Sequence, residues 1–366
     1  MRIVHLLENL NMGGAERVVI DLVREQQRGG HDCAVICLFQ PGAMVHELSE
    51  AGIPVTALYK AAGPSLRALR HLRRLLRQHR AEVLHSHNAM AHYYGVVASV
   101  GMNLARINTR HGMGTLLGNW RQQLLYSLAM RLTDRACFVC NAAQQRFIHD
   151  GLVPAEKSAV VYNGIDTGKF STGGCPGALH QLLDLDPSAR LLISVGRLNP
   201  AKNHPLLIEA FARLAVRYPD LHLVLIGDGA GMAALKQLRQ RHGLSDRIHF
   251  PGARADVPAL LADASLFVLS SLTEGFSLSL LEAGAARLPV VATDVGGNGE
   301  IIADHERGLL VPSADAAALA TAIAVLLDAP AQAASFAGAL QQWVMDHCTL
   351  PVMAASYAQI YQEARA

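Results

Sequence analysis

The sequence predicts an α/β protein built from two doubly wound parallel sheets, each in its own domain, facing a cleft. Three observations lead there. The chain has 366 residues, more than one hydrophobic core usually serves, so length favours two domains of roughly 150 to 200 residues. Its composition, 51% hydrophobic and 17% charged with a mean hydropathy of +0.21, supports large cores and excludes the charged, aromatic-poor profile of disorder. Short β-branched or Leu-rich runs alternate with helix-length segments, the pattern of parallel sheets covered by helices on both faces.

The runs fall at 3–7, 34–38, 55–58, 83–85, 105–108, 136–139 and 159–162, then at 191–195, 221–226, 248–250, 266–269, 290–292 and 308–311. Between the two sets, Ser171-Thr172-Gly173-Gly174-Cys175-Pro176-Gly177 supplies turn chemistry. These features predict an N-terminal domain over 1–170, a linker over 171–187 and a C-terminal domain over 188–345. No repeat with a period of roughly 20 to 50 residues stands out, which disfavours a solenoid. Open α/β sheets bind ligands beyond the carboxyl ends of their strands, so functional residues are expected in the loops that follow strands.

Six cysteines, at 33, 37, 137, 140, 175 and 348, are too scattered for a disulfide framework and fit a reducing compartment. Cys137 and Cys140 form a CxxC inside an apolar run. Strand residues three apart point to opposite faces, so both are expected as buried strand cysteines, not metal ligands. The apolar stretch before Glu8 is too short for a signal-peptide core, and no run is long enough to span a membrane. A cytoplasmic protein is the expectation.

Four loops carry chemistry. After the first run, Asn11-Met12-Gly13-Gly14-Ala15-Glu16-Arg17 opens a helix; a Gly pair there allows close backbone approach, and the helix N-terminus favours an anion. A plain tight turn explains it equally well. Gly196-Arg197-Leu198-Asn199-Pro200-Ala201-Lys202-Asn203 brings a guanidinium and an ammonium to a strand end, a pair suited to a pyrophosphate. Lys202 is one of five lysines against 27 arginines. Ser271 to Ala283 contains Glu274 in a loop and Glu282 about two turns into a helix. One carboxylate suits sugar hydroxyls and the other a ribose diol, with N–H groups near Phe276 to Leu278 available to phosphate. Ser279 and Glu282 also fit a capping box. That box leaves Glu274 unexplained, and likewise the Gly-rich Asp294-Val295-Gly296-Gly297-Asn298-Gly299-Glu300 that follows the next strand.

Two segments imitate other sites. Gly227-Asp228-Gly229-Ala230-Gly231-Met232 approaches a dinucleotide fingerprint, but Met232 stands where the third glycine is needed. Asp184-Leu185-Asp186 imitates a metal-holding Asp pair and reads as a solvated turn before Pro187.

The Glu, seven residues, Glu arrangement, in a block from Ser271 through Pro289-Val290-Val291-Ala292-Thr293 to Gly296-Gly297, resembles glycosyltransferase family 4, retaining transferases of the two-Rossmann GT-B fold. The resemblance extends to Gly13 to Arg17, Asn108-Thr109-Arg110-His111-Gly112, Asn163-Gly164-Ile165-Asp166, Gly196-Arg197-Leu198, Lys202, Gly227-Asp228-Gly229 and Phe250-Pro251-Gly252. It implies that Arg197 and Lys202 hold the donor diphosphate, that Glu274 meets the transferred sugar beside the N–H groups of Gly275, Phe276 and Ser277, and that Glu282 meets the ribose. Gly14 would meet the donor phosphate and His111 would lie beside the donor sugar. It further implies an acceptor-side N-terminal domain and a C-terminal helix, 346–366, crossing back to it. The chain departs from the family pattern at Gly284 and Arg287, where Met and Gly are more frequent, and at Gly299, where Pro is frequent.

The resemblance implies transfer of a hexosyl unit from a nucleoside diphosphate sugar to an alcohol, a glycan or lipid-linked glycan, by same-face substitution without metal or cofactor. A catalytically silent nucleotide-sugar-binding partner of a transferase complex and a non-hydrolysing sugar-nucleotide epimerase remain alternatives, because fold does not fix function. After the fourth run, His85, His87, Asn88 and His92 stand where an acceptor could bind.

The formal net charge of +2 points to no nucleic-acid partner, yet it hides an asymmetry. Residues 1–170 hold 19 Lys or Arg and 12 Asp or Glu, a balance of +7, which leaves −5 for 171–366. Arg67, Arg70, Arg73, Arg74, Arg77 and Arg80 share one predicted helix face, with Leu69, Leu72, Leu75 and Leu76 on another. A solvated face over a docked Leu stripe explains this. The further expectation is contact with an anionic surface, the inner face of the cytoplasmic membrane.

Overall fold

Among the described residues of the computed structural model, which are 1–114, 120–171 and 177–365, thirteen strands form where the apolar runs predict them. Seven make the first sheet: β1 (Arg2–Leu7), β2 (Asp32–Cys37), β3 (Val55–Ala57), β4 (Val83–His87), β5 (Ala105–Arg110), β6 (Arg135–Phe138) and β7 (Ser158–Val160). Six make the second: β8 (Arg190–Val195), β9 (Leu221–Ile226), β10 (Ile248–Gly252), β11 (Leu266–Leu269), β12 (Val290–Thr293) and β13 (Leu309–Val311). The orders are β3-β2-β1-β4-β5-β6-β7 and β10-β9-β8-β11-β12-β13, with parallel pairing at the central seams. β4, β11 and β12 are buried along their whole length, as strands covered on both faces must be. Winding reverses between β1 and β4 and again between β8 and β11, which makes those seams the topological switch points.

The chain divides into two compact units, Met1–Ile165 with Thr349–Ala366, and Asp166–Cys348. The last helix, Leu350–Arg365, belongs to the first unit, where it packs on the helix Gly14–Arg28 and on β5 and buries Tyr357 and Tyr361. Its entry explains Gly164: a Cβ there would lie 2.5 Å from the carbonyl oxygen of Thr349, next to the bridge between Ile165 and Thr349. The segment expected as a linker holds, in its described part, a helix at Ala178–Leu183. Asp263 fastens it, accepting from the N–H groups of Gly177, Leu179 and His180 at 2.9, 2.9 and 3.1 Å.

Cys137 lies in β6 as expected, but Cys140 lies beyond the strand and caps the helix Asn141–His149, its sulfur accepting from the Ala143 N–H at 3.4 Å. The described cysteines are buried thiols, and Cys175 lies outside the described residues. Asp184-Leu185-Asp186 is a turn, with Asp186 Oδ1 accepting from the Ser188 N–H and Oγ at 2.8 and 2.7 Å. Among the described residues, no single helix is long and apolar enough to cross a membrane.

Of two departures from the family pattern, the first has a local reason and the second runs against local geometry. Gly284, in the helix Leu278–Ala285, packs against the helix Pro330–His347, and a Cβ there would stand 2.9 Å from Leu340 Cγ and Val344 Cγ2. Arg287 ends the turn after that helix with φ 57°, a left-handed conformation that suits glycine. Gly284→Met is expected to lower stability by about 1–3 kcal/mol through overpacking. Arg287→Gly is expected to raise it by up to about 1 kcal/mol. Urea unfolding midpoints check both.

Candidate active site

The second sheet's switch point holds an ion pair. Past β8 the chain runs through Gly196 and Arg197 into a 3₁₀ turn at Pro200–Lys202, which Asn199 caps by accepting from the Lys202 N–H. The exit of β11 is strapped to this turn. Ser270 Oγ donates to the carbonyls of Lys202 and Asn203 at 3.0 and 3.1 Å, and the Leu272 N–H donates to that of Ala201 at 2.8 Å. The strap brings Lys202 Nζ to 2.6 Å from Glu274 Oε1, which also accepts from Ser271 Oγ at 2.5 Å. Both side chains are sheltered, Lys202 21% and Glu274 11% exposed.

Neighbouring loops press on this pair through backbone. A Cβ at Gly227 would lie 1.9 Å from the Gly196 carbonyl oxygen, and one at Gly296, where φ is 56°, 1.8 Å from that of Glu274. Only glycine fits at either position. The Gly297 N–H adds a 2.9 Å bond to the Gly275 carbonyl. Met232, which spoiled the dinucleotide fingerprint, packs on the hydrophobic core.

The capping box does not form. The helix Leu278–Ala285 starts after Ser277, so Ser279 lies in its first turn and bonds Ser277 Oγ at 3.1 Å, and no side chain caps the end. That uncapped N-terminus has N–H groups and a dipole suited to phosphate. Phe276 is buried near Trp343, Gly275 lies in the turn and Glu282 is half-buried along the helix. Arg197 is exposed and has no side-chain partner among the described residues.

The first sheet's switch point has different chemistry. Gly14 opens the helix Gly14–Arg28 without a side-chain cap, and the Glu16 carboxylate fills the space beside Gly13. A cavity of about 110 Å³ is lined by Glu8, Asn9, Glu16, His87 and Asn88, among others. A wider one of about 400 Å³ is lined by Asn9, Asn11, Phe39, Gln40, Tyr59 and Lys60. Burial raises the Glu8 pKa, Glu16 adds to the rise, and Arg110 and Lys60 oppose it. Glu8 had no signal in the sequence beyond its place after a strand.

Three sequence expectations need correction in this unit. His87 is 3% exposed with both ring nitrogens taken, Nε2 at 3.0 Å from His5 Nδ1 and Nδ1 at 3.0 Å from His111 Nε2, so neither nitrogen is free for an acceptor. His85 and His92 are buried in hydrogen bonds with Tyr361 and Thr109, and with Ser86 and Thr133. In the helix Leu66–Gln78, Arg73 turns inward and caps the neighbouring helix Asn88–Ser99, donating to the carbonyls of Ala98 and Val100 at 2.8 and 2.7 Å. Arg80 lies beyond the helix, leaving Arg67, Arg70, Arg74 and Arg77 exposed over buried Leu72, Leu75 and Leu76. Asn88, at φ 64°, is half-buried, and its side-chain Oδ1 accepts a long bond from the His111 N–H.

His5, His85 and His87 offer ring nitrogens within 4.8 Å of one another, a spacing a metal could bridge. Hydrogen bonds already account for all six of those nitrogens.

Comparison with known proteins agrees with both halves. Residues 12–169 match the family described as Glycosyltransferase Family 4, and residues 179–343 match Glycosyl transferases group 1. The UDP-Gal:alpha-D-GlcNAc-diphosphoundecaprenol alpha-1,3-galactosyltransferase of Escherichia coli is 29% identical over 67% of this chain and 66% of its own. A phosphatidylinositol N-acetylglucosaminyltransferase component from Arabidopsis thaliana is 27% identical over 67% of this chain and 54% of its own. The chain thus spans between about half and two thirds of these two relatives. Anabaena HepE, solved with UDP, superposes with a TM-score of 0.87 at 24% identity over 99% of this chain and 100% of that one, a likeness of fold.

The buried histidines set a pH dependence. Burial lowers His5 to about 4 against a smaller upward pull from Gln26, and lowers His111 to about 4 with Arg110 adding to the shift. Both are neutral when folded and titrate near 6.5 when unfolded, so between those values the unfolded chain binds more protons. Their contribution is fully present above about pH 6.5 and is lost as pH falls toward 4, by up to about 1.4 kcal/mol per group per pH unit. The urea midpoint is expected to fall between pH 7 and pH 5; a flat midpoint contradicts the neutral assignment.

Proposed function

The chain belongs to glycosyltransferase family 4, and on that premise we infer that it moves a hexosyl unit from a nucleoside diphosphate sugar to an alcohol acceptor with retention at the anomeric carbon. The Lys202–Glu274 pair at the switch point between β8 and β11 carries the reading. A diphosphate offers Lys202 an anion, and the attached sugar offers Glu274 hydroxyl donors, so a nucleotide sugar supplies a new partner to each charge. The names of the E. coli relative and of the HepE complex support a UDP-sugar.

In this mechanism the leaving diphosphate oxygen accepts the proton of the attacking hydroxyl on the face it departs from. Lys202, exposed Arg197 and the N-terminus of the helix Leu278–Ala285 stabilise the charge that develops there. Glu274 orients the transferred sugar, and Glu282 takes the ribose.

The acceptor is a glycan or lipid-linked glycan, in keeping with the diphosphoundecaprenol and phosphatidylinositol in the relatives' names. The enzyme is cytoplasmic and reaches that acceptor at an anionic membrane surface. Exposed Arg67, Arg70, Arg74 and Arg77 lie on the helix Leu66–Gln78, which packs on Asn88–Ser99, and this in turn packs on Trp120–Arg131. The last of these helices leaves Leu124, Leu125 and Leu128 exposed. Exposed apolar side chains two helices from a basic row suit the headgroup and acyl boundary of a bilayer.

Lys202→Ala is expected to lower transfer at least ~100-fold, the scale of losing a group that stabilises a leaving anion; wild-type rates in that variant contradict the assignment. Replacing Arg70, Arg74 and Arg77 together by Glu is expected to abolish co-sedimentation with anionic phospholipid vesicles. Unchanged sedimentation contradicts the membrane role.

A further inference from the structure

A single file of hydrogen bonds runs through the first unit from the helix Gly14–Arg28 to the end of β5. Gln26 Oε1 lies 2.8 Å from His5 Nε2, His5 Nδ1 3.0 Å from His87 Nε2, and His87 Nδ1 3.0 Å from His111 Nε2. The file ends at His111 Nδ1, which is shielded from water and has no partner among the described residues. A neutral imidazole has one N–H and one lone pair. Fixing the direction of any one bond therefore fixes all of them.

Gln26 fixes it. Its Nε2 donates to Tyr361 OH at 3.0 Å, so its Oε1 faces His5 and the Cys33 thiol. An amide oxygen only accepts, so His5 must carry its proton on Nε2, and the bare His5 Nδ1 must accept from His87 Nε2–H. His87 Nδ1 then accepts from His111 Nε2–H, and His111 Nδ1 is left with a lone pair. The opposite sense would leave His111 with a buried N–H and no acceptor, which is rarer in proteins than an unpaired acceptor.

The second arm from Gln26 is compatible. Tyr361 OH donates to His85 Nδ1 at 2.7 Å, His85 Nε2 donates to Thr109 Oγ1 at 2.7 Å, and Thr109 meets Tyr357 OH at 3.0 Å. Every polar atom on that arm has a partner of the required kind.

We propose that Gln26, His5 and His87 are positioning residues that hold His111 as the Nε2–H tautomer, keeping Nδ1 as an acceptor for a hydroxyl of a bound sugar. The tautomer follows from the hydrogen bonds alone; only the sugar hydroxyl rests on the proposed function. A shielded acceptor without a donor is unfavourable, and a hydroxyl that reaches it removes that cost. None of the three positioning residues need touch substrate.

Long-range nitrogen–proton correlation spectra of the full chain labelled with ¹⁵N-histidine test the relay directly. At pH 7.5, His5, His87 and His111 are all expected in the Nε2–H form; any of the three in the Nδ1–H or charged form overturns it. Gln26→Lys is of similar length and puts a donor where the first acceptor stood, so His5 Nε2 must accept and the His5 proton moves to Nδ1. At pH 8 the file then reverses, and His111 is expected to show Nδ1–H with kcat/KM lowered about ten-fold, the scale of one hydrogen bond. His111 unchanged in that variant overturns the relay, and a reversed His111 with full activity overturns the role of Nδ1. Expected spectra in a protein that transfers no sugar contradict the proposed function and leave the relay standing.

Discussion

A parallel sheet covered by helices on both faces has one place left for polar chemistry, the edge where its strands end. Everything functional in this chain follows from that constraint. Most strand residues are buried, so charged side chains collect in the loops after β1, β8 and β11, where the winding reverses. The two units apply the constraint differently. In the second, the edge holds a salt bridge backed by glycine loops; in the first, polar residues extend down into the sheet as a histidine file roofed by the C-terminal helix.

The salt bridge is more than a fastening. A sheltered ion pair adds little net stability, but leaving one of its charges without a partner is costly. A ligand that takes Lys202 must therefore provide for Glu274 as well. A bare diphosphate meets only the first demand, whereas a nucleotide sugar meets both, the phosphate at the lysine and hydroxyls at the carboxylate. Under the proposed function the pair would favour the intact donor over the spent nucleotide, as suits a transferase that must release its product.

The strands were legible because full burial on both faces leaves nearly continuous apolar runs, and all thirteen appear within a few residues of their expected limits. The loop residues were legible because strand ends in such folds carry ligands and the motifs follow strands. The pairing of Lys202 with Glu274 was not, since it depends on Ser270 strapping together two loops 72 residues apart. Nor was the part played by His87: its neighbours come from β1 and β5, and Tyr361, which orients Gln26, lies 335 residues from it in sequence. Local patterns also misled. Ser279 and Glu282 have the spacing of a capping box, but the helix starts after Ser277, and Arg73 shares the periodicity of an exposed face while its long side chain reaches back to cap a neighbour.

The central claim is that the charge on Lys202 is shared between Glu274 and the donor's phosphates. Calorimetric titration of UDP into the wild-type protein and into Glu274→Gln tests it most directly. If the pair competes with the diphosphate, removing the carboxylate frees the lysine and UDP binds the variant more tightly than the wild type. Unchanged or weaker binding to Glu274→Gln would contradict the account.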